Sequence, residues 1–161
     1  MRAAILTIST SRSIGGEDDV SGSRLAELAQ RIGAEIAGRE LIADDRQAIE
    51  QRLRHWVDVE RCELVFSTGG TGFASSDVTP EATRAVIERE APGIAEAMRL
   101  ASREHTPNWM LSRAVAGIRG ASLIVNFPGN PASIAQAGEA IERALPHAVA
   151  LLCGRESSHR P

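Results

Sequence analysis

The chain contains no lysine and no tyrosine, so all 18 of its basic residues are arginine. Without a lysine amine, Schiff-base catalysis has no nucleophile. A Walker-type phosphate loop is excluded as well, because that motif uses a lysine to reach the β and γ phosphates. Aromatic residues are 3% of the chain and the formal net charge is −3. Neither stacking platforms nor a basic field is therefore on hand, and no nucleic-acid partner is expected. Two cysteines, Cys62 and Cys153, are too few for a disulfide framework and show no C-x-x-C spacing for zinc or redox work. His55, His105, His147 and His159 lack metal-ligand spacing. No apolar run approaches transmembrane length, and the N-terminus opens on a strand pattern rather than a signal peptide, so no membrane contact and a cytoplasmic location are expected.

What is present fits one ordinary globular unit. At 161 residues, 43% hydrophobic and 24% charged, the chain suffices for one buried core. Residues 2–9 have the apolar run of a central strand, and residues 10–19 follow as a polar, glycine-containing loop. Ser21-Gly22 precedes a helical face of Leu25, Leu28, Ala29 and Ile32 that stops at Gly33. Residues 34–42 alternate as a second strand. Asp44-Asp45 then offers an acidic cap to a helix carrying Ile49, Leu53, Trp56 and Val57; one acid suffices as cap, which leaves the other for function. A third strand at residues 63–66 leads into a glycine-rich loop, followed by helices over residues 80–89 and 92–103.

Residues 111–118 fit a strand or a helix by pattern alone. The Arg119-Gly120 corner and the apolar run 121–127 favour an antiparallel hairpin. The turn Pro128-Gly129-Asn130-Pro131 then introduces a helix with Ile134, Ile141, Leu145, Ala148 and Leu152 on one face, and a frayed tail is expected over residues 155–161. Strands alternating with amphipathic helices predict a single three-layer α/β domain over residues 1–154, with a mostly parallel sheet, one antiparallel hairpin and helices on both faces.

The glycine-rich loop runs Ser67-Thr68-Gly69-Gly70-Thr71-Gly72-Phe73-Ala74-Ser75-Ser76-Asp77-Val78-Thr79-Pro80. Three glycines within four residues permit positive φ and close approach of a ligand to the amides, and Thr79-Pro80 predicts a capped helix start beyond. That is a phosphate cradle. A dinucleotide fingerprint is excluded, because Ser75 stands where the third glycine of G-x-G-x-x-G belongs. Asp77 beside a phosphate is repulsive unless a cation such as Mg²⁺ bridges the two anions. In a parallel sheet, ligands bind beyond the carboxyl ends of the strands, so Asp44, the glycine loop with Asp77, and the Pro128 turn are expected to converge. The residues alone point to metal-assisted phosphoryl or nucleotidyl transfer. A side chain at Gly70 is expected to block the phosphate and spare the fold.

The segments Thr68–Gly72 and Asp77–Thr83, followed by Met110-Leu111-Ser112-Arg113, Ala116–Gly120 and Pro128–Pro131, resemble in order the motifs of the molybdopterin-binding family. Asp44 stands where that family carries an essential acid after the second strand, whereas Thr10 and Asn108-Trp109 depart from its pattern. The resemblance covers residues 2–152 and is strongest to the adenylyltransferase branch, which includes the G domain of gephyrin. It implies Mg²⁺-dependent transfer of AMP from ATP to the terminal phosphate of molybdopterin. It also implies a homotrimer and a molybdenum-insertion enzyme as a partner. On that resemblance Asp44 and Asp77 are the catalytic, metal-holding acids. Thr68, Gly69, Gly70, Thr71 and Gly72 take substrate phosphates, and Ser112 with Pro128, Gly129, Asn130 and Pro131 serves the pterin side. A non-catalytic pterin carrier of the same fold is the alternative.

Overall fold

The computed structural model describes residues 1–16 and 18–155; Glu17 and the tail expected over 156–161 lie outside them. Among the described residues, six strands form one sheet in the order β2-β1-β3-β6-β5-β4. Strands β1 (Arg2–Ile8), β2 (Glu35–Ile42), β3 (Leu64–Thr68) and β6 (Ser122–Phe127) are parallel, while β5 (Ala116–Arg119) runs antiparallel to β6. The expected hairpin is present, turning at Gly120 with φ +55°. Only residues 116–119 of the expected strand pair with β6, and Trp109–Leu111 is a 3₁₀ turn. A two-residue strand β4 (Arg89–Glu90) adds a second antiparallel pairing at the edge.

Alternation along the central strands sends side chains into two cores. Ile5, Leu64, Phe66, Val125 and Phe127 point to one face, where α2 (Val20–Arg31), α5 (Pro92–Ser102), α6 (Pro131–Ile141) and α7 (Leu145–Leu152) bury Leu25, Leu28, Met98, Ile134, Ile141 and Val149. Leu6, Ile8, Val65 and Ile124 point to the other, against Ile49 and Leu53 of α3 (Arg46–Arg54), Trp56 and Val57 of a π-helical turn His55–Val59, and Val86 of α4 (Thr79–Val86). Each fully buried Leu, Ile or Phe contributes about 1.5–3 kcal/mol, so strand burial on both faces fixes the register. Phe66 and Phe127 meet edge to face at 5.1 Å across β3 and β6, a favoured aromatic geometry.

Several local expectations are corrected. Residues 10–15 form a short helix, α1 (Thr10–Gly15), capped by Ser9 and ended by Gly16 at φ +68°; none of its residues is buried, so it carries no apolar periodicity. The cap of α2 is Asp19, whose carboxylate accepts from the Gly22 amide. The expected long final helix is two helices. Pro146 lies in the first turn of α7, where its missing N–H is tolerated. Cys62 is buried and Cys153 is half-buried; burial pushes both thiols up.

A buried polar cluster centred on one amide interrupts the apolar second face. Asn126 of β6 is fully buried; its amide donates to Ser67 Oγ at 2.8 Å and Thr83 Oγ1 at 2.9 Å, and its Oδ1 accepts from the Val115 amide at 3.2 Å. It ties β3, α4 and the approach to β5 together directly beneath the glycine loop. Replacing Asn126 by Ala leaves the Val115 amide without its side-chain acceptor and two buried hydroxyl oxygens without a donor. Asn126→Ala is therefore expected to lower the unfolding free energy by about 1–3 kcal/mol, read from urea denaturation, and an unchanged midpoint would refute this role.

Candidate active site

The order of β1, β2 and β3 reverses about β1, which opens a crevice at the carboxyl ends of β1 and β3. Thr7 and Ile8 from β1, Ser9 at the cap of α1, Ser11 and Arg12 within it, Ser21 from α2, Thr68 at the end of β3, Gly69 just beyond it and Gly129 after β6 line a space of about 280 Å³. The walls are stitched by hydroxyls. Thr68 Oγ1 donates to the Pro128 carbonyl at 2.7 Å, and Ser21 Oγ donates to the Gly129 carbonyl at 2.8 Å. Thr7 Oγ1 donates to Asp19 at 2.8 Å, which links β1 to the cap of α2.

Gly69 and Gly70 have φ of +96° and +63°, a region that favours glycine. At Gly69 a Cβ would stand 2.1 Å from the Ile8 carbonyl oxygen, and at Gly70 it would stand 2.5 Å from Thr79 Oγ1 and 3.1 Å from Asp44 Oδ1. The expectation that a side chain at Gly70 points into phosphate space is corrected: it points at Thr79 and Asp44. Thr79 is corrected too. Its hydroxyl does not cap α4; it donates to the Gly69 carbonyl at 2.9 Å, while its amide donates to the Gly70 carbonyl at 3.1 Å. The Gly69 amide donates to Phe127 at 3.3 Å, and among the described residues the amides of Gly70, Thr71, Gly72 and Phe73 have no backbone acceptor. Such a run of unpaired donors is suited to an anion.

The two acids flank this loop. Asp44 is not the cap of α3; Asp45 is, accepting from the Ala48 amide at 2.7 Å. Asp44 Oδ2 accepts from both the amide and the hydroxyl of Thr10 at 2.8 Å, so the departure at Thr10 adds a side-chain donor to this carboxylate beside the backbone one. Asp44 Oδ1 faces Gly70. Asp77 closes a turn, its Oδ2 accepting from the Ala74 amide at 2.9 Å, and that same oxygen stands 2.9 Å from where a Cβ on Gly72 would be. Among the described residues no group of three or more His, Cys, Asp or Glu gathers as a metal cage.

Ser112 is not in this crevice. With Pro128, Trp109, Met98, Ala114, Ser133 and neighbouring residues it lines a second, more apolar cleft of about 110 Å³. The Pro128-Gly129 turn is thus a partition, with Gly129 facing the hydroxyl-rich crevice and Pro128 the cleft with the tryptophan. Asn130 caps α6 by accepting from the Ala132 amide at 2.9 Å, and Pro131 opens that helix. Thr71 is buried, and its carbonyl accepts from the Arg113 amide at 2.8 Å. The sequence alone did not single out Arg12, Ser21 or Arg113 by role. Arg113 lies within a quoted motif, yet nothing in its spacing sets it apart from the other arginines. Its hydrogen bond to Glu81 holds that carboxyl below the usual range.

These features define an α/β protein whose parallel strand ends carry a glycine loop between two carboxylates, with a polar crevice and an aromatic cleft on either side of one turn. The family profile described as "probable molybdopterin binding domain" matches residues 4–147. The chain is 41% identical over 152 residues to the molybdopterin adenylyltransferase of Helicobacter pylori strain J99, covering 93% of this chain and 86% of that protein. It is 42% identical over 147 residues to the molybdopterin adenylyltransferase of Escherichia coli K12, covering 89% and 75%. The solved structure of the molybdopterin biosynthesis enzyme MoaB from Thermus thermophilus superposes with a TM-score of 0.89 at 42% identity, over 95% of this chain and 96% of that one. The chain belongs to the molybdopterin-binding family.

The left-handed backbone at Gly70 sets a measurable cost. Gly70→Ala is expected to destabilise the fold by about 1–2 kcal/mol and to weaken pyrophosphate binding by displacing Thr79 and Asp44. Gly93→Ala, where a Cβ meets nothing within 4 Å, is the control. Denaturation midpoints and calorimetric titration check both, and equal behaviour of the two variants would contradict the packing described.

Proposed function

We propose that this protein is a molybdopterin adenylyltransferase. The observation that carries the reading is the run of unpaired amides at residues 70–73, flanked by Asp44 and Asp77 at the strand ends. The names of relatives 41% and 42% identical over most of the chain support it. In the reaction, an oxygen of the terminal phosphate of molybdopterin attacks the α-phosphorus of ATP. A new P–O bond forms, the bond from the α-phosphorus to the α,β-bridging oxygen breaks, and pyrophosphate leaves. No protein nucleophile is required, so positioning and charge compensation supply the catalysis.

The loop amides of Gly70, Thr71 and Gly72 bind phosphate oxygens beside Thr68 and Gly69, and Arg12 lends the polar crevice a cation. The cleft of Ser112, Trp109 and Pro128, with the rest of the turn through Pro131, takes the pterin, whose flat ring suits an aromatic wall. The donor set fits Mg²⁺, which is commonly bound through one or two carboxylates together with substrate phosphates and water. Asp44 and Asp77 would hold it, and when bound it neutralises the charge of the phosphates being brought together. A homotrimer is part of the same reading, supported by the exposed apolar Phe73 and Met110, as is hand-over of the product to a molybdenum-insertion enzyme. No helix among the described residues is long and apolar enough to cross a membrane; a cytoplasmic location belongs to the proposal.

The carrier reading keeps one observation in its favour. Both acids already accept hydrogen bonds within the protein, Asp44 from Thr10 and Asp77 from Ala74. Asparagine retains an oxygen acceptor for these donors and removes only the charge. Under the transferase reading, Asp44→Asn and Asp77→Asn are expected to fold normally and to lose about a hundredfold or more in pyrophosphate release with molybdopterin and MgATP. Pterin affinity should stay within about threefold, since the pterin-side contacts carry no metal. Wild-type turnover in both variants would remove the two acids from the chemistry, and pterin binding with no pyrophosphate release by the wild type would put the carrier reading in front.

A further inference from the structure

Arg113 lines neither crevice, yet it makes more bonds to the glycine loop than any residue that does. Its Nε donates to the Gly72 carbonyl at 2.7 Å and its Nη2 to the Asp77 carbonyl at 2.6 Å. Its Nη1 pairs with Glu81 in the first turn of α4, and its own amide donates to the Thr71 carbonyl at 2.8 Å. The planar guanidinium thus spans the loop from residue 72 to residue 77 and is held in plane by a carboxylate. A lysine ammonium, as a point donor on a flexible stem, cannot reproduce this fork.

The peptide unit turns those bonds into a statement about the cradle. In a planar trans peptide, a carbonyl and the following N–H point in opposite directions. Thr79 holds the carbonyls of Gly69 and Gly70, and Arg113 holds those of Thr71 and Gly72. Four consecutive carbonyls are anchored by two residues, and each anchor turns the next amide, of Gly70, Thr71, Gly72 and Phe73, away from its own carbonyl. These are the amides without a backbone acceptor. Packing does not fix the loop at Phe73, which is 70% exposed.

We propose that Arg113 is a positioning residue whose side chain, seated by Glu81, orients the Phe73 amide toward substrate phosphate and sets the Asp77 turn relative to it, while its own backbone amide holds the Thr71 carbonyl ahead of the Gly72 amide. The inference rests on the transferase reading for its catalytic consequence, and on the loop geometry alone for its effect on anion binding.

The test uses the full chain with Arg113→Lys, Arg113→Gln and Glu81→Gln. Inorganic pyrophosphate is titrated while the amide resonances of residues 70–73 are followed, and kcat and KM for MgATP are measured alongside. Arg113→Lys is expected to weaken pyrophosphate binding and lower kcat by about tenfold to a hundredfold each, with an unchanged melting temperature, since small misplacements of binding groups cost that much. Glu81→Gln, which keeps a neutral acceptor, should show a smaller loss in the same direction. Should Arg113→Gln fail to fold, the other two variants still decide. Wild-type affinity, amide shifts and kcat in Arg113→Lys would overturn the proposal. A wild type that makes no pyrophosphate but binds it through these amides would count against adenylyl transfer, while the clamp would stand on the binding data.

Discussion

Three strand ends meet at the α-carbon of Gly69, and there is no room there for anything larger. A Cβ would stand 2.1 Å from the Ile8 carbonyl of β1, and one on Gly129 would stand 3.4 Å from the Gly69 Cα. Because β1, β3 and β6 close to this distance, the loop after β3 starts from a fixed point with its carbonyls turned toward Thr79 and Arg113. The same closure brings the Pro128-Gly129 turn against the loop and so creates the two compartments. Enlarging this contact would separate the amides of the cradle from both Asp44 and the partitioning turn.

The architecture was largely legible because it rests on long-range periodicity. Parallel strands buried on both faces read as apolar runs, and the helices between them carry one apolar stripe each. The misreadings share a cause. Residues 10–15 bury nothing and so leave no pattern, although their helix is capped and ended by Ser9 and Gly16. Pro146 restarted a helix whose apolar face continues across the break, and the stripe alone cannot show the interruption.

For the site, glycine density and the two acids marked a loop that the structure sets at the carboxyl ends of the strands, since residue type alone limits what such a backbone does. Side-chain direction was not legible. A threonine before proline predicts a cap that accepts from an amide, but Thr79 is the first residue of α4 and its hydroxyl instead donates to the Gly69 carbonyl, brought near by the left-handed turn. Of two adjacent acids, sequence shows that one is spare without showing that Asp45 caps and Asp44 reaches Thr10. The separation of Ser112 from Gly129 into different clefts depends on tertiary placement of a single turn. The function itself was legible through the order of motifs along the whole chain, a property no single loop carries.

The central claim is that a cradle of backbone amides and two carboxylates moves an adenylyl group between phosphates. Following isotope from ATP tests it most directly. With purified protein, molybdopterin and Mg²⁺, label in the α-phosphate is predicted to appear in the pterin product and label in the γ-phosphate only in released pyrophosphate. Tight pterin binding with no transfer of α-label, or transfer of γ-label to the pterin, would contradict the account.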